Sequence, residues 1–313
     1  GSWLAKMVRG RRGKSPSLCD KMICIKRRIG AGHFMAVQKI MEQIRDELRG
    51  VPGIVGVVLG GSRARGTHHE TSDIDIGIYY DESAGFDPKA VNEIAKKLDD
   101  QHRERLITSL GEWGPWINGG GWLVVQGYHV DFLFRDVHRV ARVIDECLQG
   151  SVSAHYQTGH PHAYLNVMYM GEIAICQILS DPTGQIAKLK AKTVPYPNAV
   201  KDAIIGYFLF EASFSLMLAE KYADKDDISY VAGHMFRSIS CLNQVIFAVN
   251  EQYCINEKKA VRMIERFRAK PRNYKQRIDN IITSIGTDQE SSKQAVQMLR
   301  ELISETEGLV QET

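Results

Sequence analysis

Cysteine is scarce in this sequence, and long apolar runs are absent. Its six cysteines include no Cys-x-x-Cys pair, so their spacing does not predict a zinc site. They are scattered through apolar helical stretches, which is typical of small buried thiols in a reducing compartment, and we expect a cytoplasmic protein. No run approaches the ~20 apolar residues that cross a bilayer, so we expect no membrane role.

Net positive charge is confined to the first 34 residues. These carry nine Lys/Arg and one Asp, a net charge of +8, whereas the whole chain carries +3. Residues 35–313 therefore carry about −5 and offer no strong basic field, so we expect no nucleic-acid partner. The segment opens with Gly-Ser, which is common in expression vectors, and we interpret residues 1–34 as a vector-derived or disordered extension. A basic RNA-binding arm or a targeting peptide is the alternative.

The length of 313 residues is typical of two domains. Apolar residues at helical spacing predict helices over residues 35–48, 88–102, 137–148 and 163–179. Apolar or alternating runs predict strands over residues 54–59, 73–80, 122–126 and 129–134. Beyond a proline-containing linker the chain is helical. We expect an α+β domain over residues 35–150, with a small mixed sheet flanked by helices, followed by an all-α bundle over residues 151–313.

Two aspartates lie two positions apart on the predicted strand over residues 73–80. Because strand side chains alternate, Asp73 and Asp75 share the face opposite the strand's isoleucines. Asp131 lies on another predicted strand and also faces away from its apolar set. If the strands are neighbours, three carboxylates converge, and a divalent cation would relieve their repulsion. Oxygen-only ligands favour Mg²⁺ or Mn²⁺, and two such ions suit an in-line displacement at phosphorus.

A glycine turn precedes the aspartate pair by ten residues. Gly60 and Gly61 allow the backbone to approach a ligand closely, and Ser62 can cap the short helical turn that follows. Free N–H groups at a helix start attract phosphate, and Arg65 lies one turn further on. Neither Gly-Gly-Ser nor Asp-x-Asp is specific alone, but their ordered combination predicts a phosphate cradle beside a metal site.

The residues of this combination resemble a known family. Residues 57–66 read Val-Val-Leu-Gly-Gly-Ser-Arg-Ala-Arg-Gly and residues 72–76 read Ser-Asp-Ile-Asp-Ile. They resemble the signature of the nucleotidyltransferase superfamily that includes DNA polymerase beta, and most closely its bacterial stand-alone members, among them the aminoglycoside nucleotidyltransferases. The resemblance covers residues 54–135 and matches the family's C-terminal bundle only in outline.

The resemblance implies a role for each residue of the site. Asp73, Asp75 and Asp131 would bind the metals, with two Mg²⁺ ions expected and Mn²⁺ as the alternative. Gly61, Ser62, Arg65 and Ser72 would contact the triphosphate of a nucleotide, for which we expect ATP.

The general base has two candidates. Gly111-Glu112-Trp113 resembles a Gly-Glu-Trp element of the streptomycin/spectinomycin adenylyltransferases, in which the glutamate serves the acceptor hydroxyl. Glu112 is therefore one candidate, and Asp131 is the other. Two acidic residues in apolar helical stretches, Glu172 and Glu211, are weaker candidates. His155, His160 and His162 cluster in sequence, but their spacing fits no common zinc pattern.

We therefore expect a nucleotidyltransferase, a monomer or homodimer, that moves a nucleoside monophosphate from a nucleoside triphosphate to a hydroxyl and releases pyrophosphate. The expected acceptor is a small molecule bound between the domains, and the mildly acidic body suits a cationic antibiotic of the aminoglycoside type. The alternatives are a nucleotidyltransferase that acts on RNA or protein and a non-catalytic nucleotide-binding regulatory module.

Overall fold

The structure is a computed structural model that describes residues 18–313, with side chains described from residue 32 onward. Our interpretation of residues 1–17 lies outside the described residues. The strands of the described chain are β1 (Ile54–Leu59), β2 (Ile74–Tyr80), β3 (Gly120–Val125), β4 (Tyr128–Asp136), β5 (Ala154–His155), β6 (Tyr164–Leu165) and β7 (Gln177–Ser180). Its helices are α1 (Leu18–Leu48), α2 (Gly61–Arg65), α3 (Pro88–Leu98), α4 (Val137–Leu148), α5 (Val167–Ile175), α6 (Gln185–Thr193), α7 (Asn198–Tyr222), α8 (Ile228–Val249), α9 (Ala260–Ile264), α10 (Tyr274–Thr283) and α11 (Gln289–Gln311).

A five-stranded mixed sheet is the centre of the N-terminal part. Its strand order is β3-β4-β2-β1-β7. The pair β2–β4 is parallel, whereas β3–β4, β1–β2 and β1–β7 are antiparallel. The hairpin between β3 and β4 turns at Gln126 and Gly127, whose positive φ angles of 51° and 81° are those of a tight two-residue turn. The α+β class with a mixed sheet and a helical C-terminal region is confirmed.

Both faces of the sheet are covered over most of their area. On one face, the isoleucines of β2 pack with α1 and α3, and Ile40, Ile44 and Ile76 are fully buried. On the other face, Val58 and Tyr79 pack into the core formed by the helices from α4 onward. Asp75 lies on this second face, since it alternates with the buried isoleucines. The second face therefore carries the carboxylates at the border of the C-terminal core.

Two predicted elements differ from the structure. The helix expected from residue 35 begins at Leu18, so α1 extends into the segment that we interpreted as an extension. The helix predicted over residues 163–179 is wrong, because that segment contains β6, α5 and β7. The apolar content of the segment is continuous, and a buried strand cannot be distinguished from a buried helix by apolar content alone. Because β7 pairs with β1, a strand beyond residue 150 completes the sheet, and the division at that residue stays a prediction.

Among the described helices, α7 is long and apolar enough by composition to cross a membrane. It packs along α8 and α11 and contributes buried residues such as Phe208 and Leu216 to the core. Core helices of this kind often have such a composition, so the helix is weak evidence for a membrane segment.

Candidate active site

Asp75 and Asp131 lie side by side in the sheet. They are direct partners in the register of the parallel pair β2–β4, so their side chains project from the same face of adjacent strands. Adjacent strands are ~4.8 Å apart, which brings the two carboxyl groups within reach of one ion. Asp73 precedes β2 by one residue and lines the same cavity as both other aspartates. The structure therefore brings the three sequence-predicted acids together.

The pKa values of these carboxyls reflect their burial and their proximity. Burial, followed by the charges of Asp131 and Asp73, raises the pKa of Asp75 to about 6. Burial and then the charge of Asp73 also raise the pKa of Asp131. Neighbouring negative charges in a partly buried cavity destabilise the ionised form of each carboxyl, and a bound cation counteracts this destabilisation.

The glycine turn is shaped around Asp75. The backbone N–H of Gly60 donates to the backbone oxygen of Asp75 at 2.8 Å. Gly61 has a φ of +59°, and a Cβ atom added there would lie 1.8 Å from Oδ2 of Asp75. Only glycine fits this position, because any side chain would occupy the space of the carboxylate. The turn and the strand that carries Asp75 are thus one packed unit, with Ser62 next in the chain.

The loop between the turn and β2 is held by an arginine that the sequence interpretation did not use. Nη2 of Arg63 donates to the backbone oxygen of Ser72 at 2.6 Å, and its Nε donates to that of Asp73 at 3.1 Å. The hydroxyl of Ser72 accepts the backbone N–H of His69 at 2.9 Å. Arg63 therefore fixes the approach to Asp73, while the Ser72 hydroxyl closes a turn beside the cavity that it lines.

Arg65 connects the two halves of the protein. Its Nη2 donates to the backbone oxygen of Tyr253 at 3.0 Å, and burial lowers its pKa below the ordinary value. The side chain therefore supports the segment after α8 while it lines the carboxylate cavity. A contact of Arg65 with phosphate, as predicted, would be made from this position.

The cavity over the carboxylates has a volume of about 470 Å³. One wall carries Ser62 and Ser72 and the three aspartates, and the opposite wall comes from the segment between α8 and α9. That second wall includes two exposed lysines, Lys258 and Lys259. The positive charge of Lys258 lowers the pKa of both Asp75 and Asp131 against the effects of burial and repulsion. These lysines were missed from the sequence, since a short charged loop is usually only solvated.

A second cavity, of about 200 Å³, adjoins the first along the same sheet face and shares Gly61 and Asp75 with it. Its lining includes a buried ion pair, in which Nε and Nη2 of Arg135 each lie 2.8 Å from a carboxylate oxygen of Glu172. The hydroxyl of Tyr164 donates to the same carboxylate at 3.0 Å. Glu172 is therefore engaged by a cation and a hydroxyl at the cavity wall, which does not suit the role of general base.

The Gly-Glu-Trp element lies at the edge of the sheet beside β3. Trp113 stacks on Trp122 with ring centroids 4.8 Å apart, and Trp122 is the register partner of Asp131 on β3. Trp122 is 63% exposed, so these rings form an open aromatic platform next to the carboxylates. Glu112 is itself exposed, accepts the backbone N–H of Ser109 at 2.9 Å, and lines neither cavity. The structure thus brings Asp131, but not Glu112, to the carboxylate cluster.

Comparison with known proteins agrees with this geometry. Residues 39–113 match the model of the nucleotidyltransferase domain family. The chain contains a nucleotidyltransferase domain. This match supports a transferase of nucleotidyl groups, as expected from the sequence. The matched segment of the nucleotidyltransferase domain includes the glycine turn and Asp73–Asp75 and ends before Asp131.

Two further comparisons add little to the assignment of the nucleotidyltransferase domain. The solved structures include a nucleotidyltransferase-like protein from Exiguobacterium sibiricum 255-15, with 8% sequence identity and a TM-score of 0.42. The alignment covers 83% of this chain and 74% of that one. This similarity is too low to support an argument about substrate or mechanism. No curated protein matches the chain.

Proposed function

We propose that the protein transfers a nucleoside monophosphate, with ATP as the expected donor, to a hydroxyl group of a small molecule and releases pyrophosphate. The observation that carries this proposal is the convergence of Asp73, Asp75 and Asp131 on a cavity that also holds the Gly61–Ser62 turn and the Lys258 loop. The acids on one wall suit the magnesium ions of a magnesium-bound nucleotide, and the lysines on the other wall suit its phosphates.

The donor set fits divalent ions. All three acids offer hard oxygen ligands, and burial together with mutual repulsion raises the pKa values of Asp75 and Asp131, an effect that a bound cation counteracts. We propose two Mg²⁺ ions held by Asp73, Asp75 and Asp131, with Mn²⁺ as a substitute. When bound, such ions lower the pKa of an attacking hydroxyl and neutralise charge on the leaving pyrophosphate.

The remaining residues of the cavity suit the triphosphate. Gly61 leaves the backbone open to a close approach, and Ser62 and Ser72 offer hydroxyls along the same wall. Arg65 and Lys258 offer positive charge from the two halves of the protein. We propose that these five residues orient the phosphate chain, since phosphate binding commonly combines backbone N–H groups with cationic side chains.

Asp131 is the better supported general base. It adjoins Asp75 on the neighbouring strand and lines the carboxylate cavity. Glu112 lines neither cavity, so it has weaker support in this role. Glu112→Gln should leave turnover at saturating nucleotide within about two-fold of wild type, whereas Asp131→Asn should lower it by about 100-fold or more. A larger loss in Glu112→Gln than in Asp131→Asn would exchange the two roles.

A small-molecule acceptor is supported by the size of the neighbouring cavity and by the aromatic platform. A cavity of about 200 Å³ next to Asp75 suits one or two rings rather than a macromolecular surface. The narrower proposal of an aminoglycoside-type acceptor, and with it a role in antibiotic resistance, rests on the net charge of about −5 over residues 35–313. A cytoplasmic location is supported by four buried, unpaired cysteines among the described residues.

A mass-spectrometric screen tests the proposal. Each nucleoside triphosphate with Mg²⁺ is incubated with pooled hydroxyl-bearing acceptors, and the products are searched for the mass increase of one nucleoside monophosphate. We expect such an adduct with wild type and none with Asp73→Ala. Equal products, or no adduct and no pyrophosphate with either protein, would contradict the enzymatic proposal.

A further inference from the structure

A cluster of three different metal-ligating side chains lies outside the candidate active site. His162, Glu211 and Cys241 each offer one ligand atom, and these atoms all lie within 4.8 Å of one another. His162 lies just before β6, Glu211 lies on α7 and Cys241 lies on α8. None of the three lines the cavities beside the aspartates, so the proposed nucleotidyl transfer does not use them.

The distances in the cluster are close to those of a metal coordination sphere. Nε2 of His162 lies 3.9 Å from Oε1 of Glu211 and 3.8 Å from Sγ of Cys241. Zinc binds nitrogen and oxygen at ~2.0–2.2 Å and sulfur at ~2.3 Å, so a tetrahedral arrangement separates its ligand atoms by roughly 3.4–3.6 Å. If these side chains moved by a few tenths of an ångström, the two measured distances would match those between ligands of one zinc ion.

The composition of the cluster selects the kind of ion. A thiolate, an imidazole and a carboxylate form a set that suits zinc, whereas the three aspartates of the active site suit magnesium. Cys241 is fully buried, and the side chains of His162 and Glu211 are only 5% and 14% exposed. We propose that His162, Glu211 and Cys241 form a zinc site, separate from the carboxylate site, with a water molecule as the fourth ligand.

The surroundings support the three ligands. Nε of Arg237 donates to Oε1 of Glu211 in a close ion pair, and metal-binding carboxylates are commonly hydrogen-bonded in this way. Glu211 also lines an open groove together with Phe210 and Arg237, so one of the three ligands borders solvent. An ion that reaches the cluster thus meets a hydrogen-bonded carboxylate.

The site would connect three parts of the fold. Its ligands come from the two main bundle helices and from the segment before β6. The backbone N–H of His162 donates to Oε1 of Glu257 at 3.0 Å, and Nδ1 of His160 lies 3.0 Å from Oε2 of the same residue. Glu257 directly precedes Lys258 in the wall of the nucleotide cavity. A zinc ion bound by these ligands would therefore stabilise the segment that carries that wall from the bundle side.

Metal analysis of the purified full chain tests this site directly. Protein produced with added zinc and passed through a desalting column is analysed for bound metals. We expect about one zinc per chain in wild type and in Cys176→Ser, a matched change at another buried thiol. Cys241→Ser and His162→Gln should retain less than a tenth of that amount. Asp75→Asn should keep its zinc, so failure of the nucleotidyltransferase proposal would leave this result unchanged.

Cobalt provides a second measurement if the variants do not fold. Wild-type protein that is stripped of metal and loaded with Co²⁺ should show an absorption band from cobalt–thiolate bonding, and Cys176→Ser should show the same band. Absence of zinc from wild type together with absence of this band would overturn the proposal. Equal zinc in Cys241→Ser and Cys176→Ser would also overturn it, and would leave an ion-pair network of His162, Glu211 and Arg237 without a metal.

Discussion

Replacing Asp75 by asparagine should stabilise the metal-free protein while it abolishes activity. Asparagine has nearly the same shape as aspartate but carries no charge, so it removes the cost of burying a carboxylate and the repulsion from Asp131 and Asp73. The pKa of Asp75 is raised from 3.8 to about 6 in the folded protein. A difference of this size corresponds to at most about 3 kcal/mol of unfavourable free energy for the charged form. Because Asp75 is partly exposed, solvent screening reduces this to about 1–2 kcal/mol.

The size of the effect depends on pH in a defined way. A carboxyl whose pKa is raised in the folded state destabilises that state once it must ionise, so the penalty grows as pH rises from about 4 to about 6. Below pH ~4 the folded and unfolded states are both largely protonated at this group, and the penalty disappears. The difference in stability between Asp75→Asn and wild type should therefore be near zero in acid and reach its plateau above pH ~6.

Thermal unfolding in the presence of a chelator measures this difference. For a chain of this size, 1–2 kcal/mol corresponds to an increase in Tm of roughly 2–4 °C at pH 8. The exposed Asp202 on α7 offers a matched control, and Asp202→Asn should leave Tm within about 1 °C of wild type. Mg²⁺ should raise the Tm of wild type more than that of Asp75→Asn. A lower Tm in Asp75→Asn at pH 8, or a difference that does not vary with pH, would refute the reasoning.

Three further predictions concern the surroundings of the carboxylates. Gly61→Ala should lower kcat by about 100-fold or more, because its Cβ would displace the carboxylate of Asp75. Gly66 has a similar positive φ but open space around it, so Gly66→Ala should lose only about 1 kcal/mol of stability, and equal kcat values for the two variants would contradict the prediction. Lys258→Ala should lower kcat/KM for the nucleotide by about 10- to 100-fold, while Lys188→Ala on the exposed surface of α6 should not change it. A titration with nucleotide that gives the same kcat/KM for both variants would exclude a contact between Lys258 and phosphate. Glu172→Gln should lower the free energy of unfolding by about 3 kcal/mol, because it leaves a buried arginine unpaired, and denaturant unfolding that shows less than about 1 kcal/mol would mean that solvent reaches this pair.

The position of the aspartate pair could be predicted from the sequence because its evidence is local. Strand alternation alone puts Asp73 and Asp75 on one face, and the short distance along the chain brings the glycine turn close to them. Asp131 depends on the pairing of β2 with β4, which joins strands more than 50 positions apart in sequence. Local periodicity carries no information on that pairing, so its position could only be stated conditionally.

Other features of the site depend on contacts that no local pattern encodes. Lys258 lies on a charged loop that is indistinguishable in sequence from any solvated turn, and only the packing of α8 and the contact of Arg65 with Tyr253 bring it over the aspartates. The ligands His162, Glu211 and Cys241 of the proposed zinc site come from three elements, and therefore have none of the short spacings by which zinc sites are recognised. Strand β7 is four residues long and directly follows an apolar helix, so no sequence pattern marks where the helix ends and the strand begins.

Metal binding in the presence of a nucleotide tests the central claim most directly, since it requires no knowledge of the acceptor. Calorimetric titration of the zinc-loaded protein with Mn²⁺ is carried out with an ATP analogue whose α–β bridge cannot be cleaved. We predict two nucleotide-dependent Mn²⁺ sites per chain in wild type and their loss in Asp75→Asn, with Asp202→Asn unchanged. Binding of Mn²⁺ and nucleotide by Asp75→Asn to the same extent as by wild type would contradict the account.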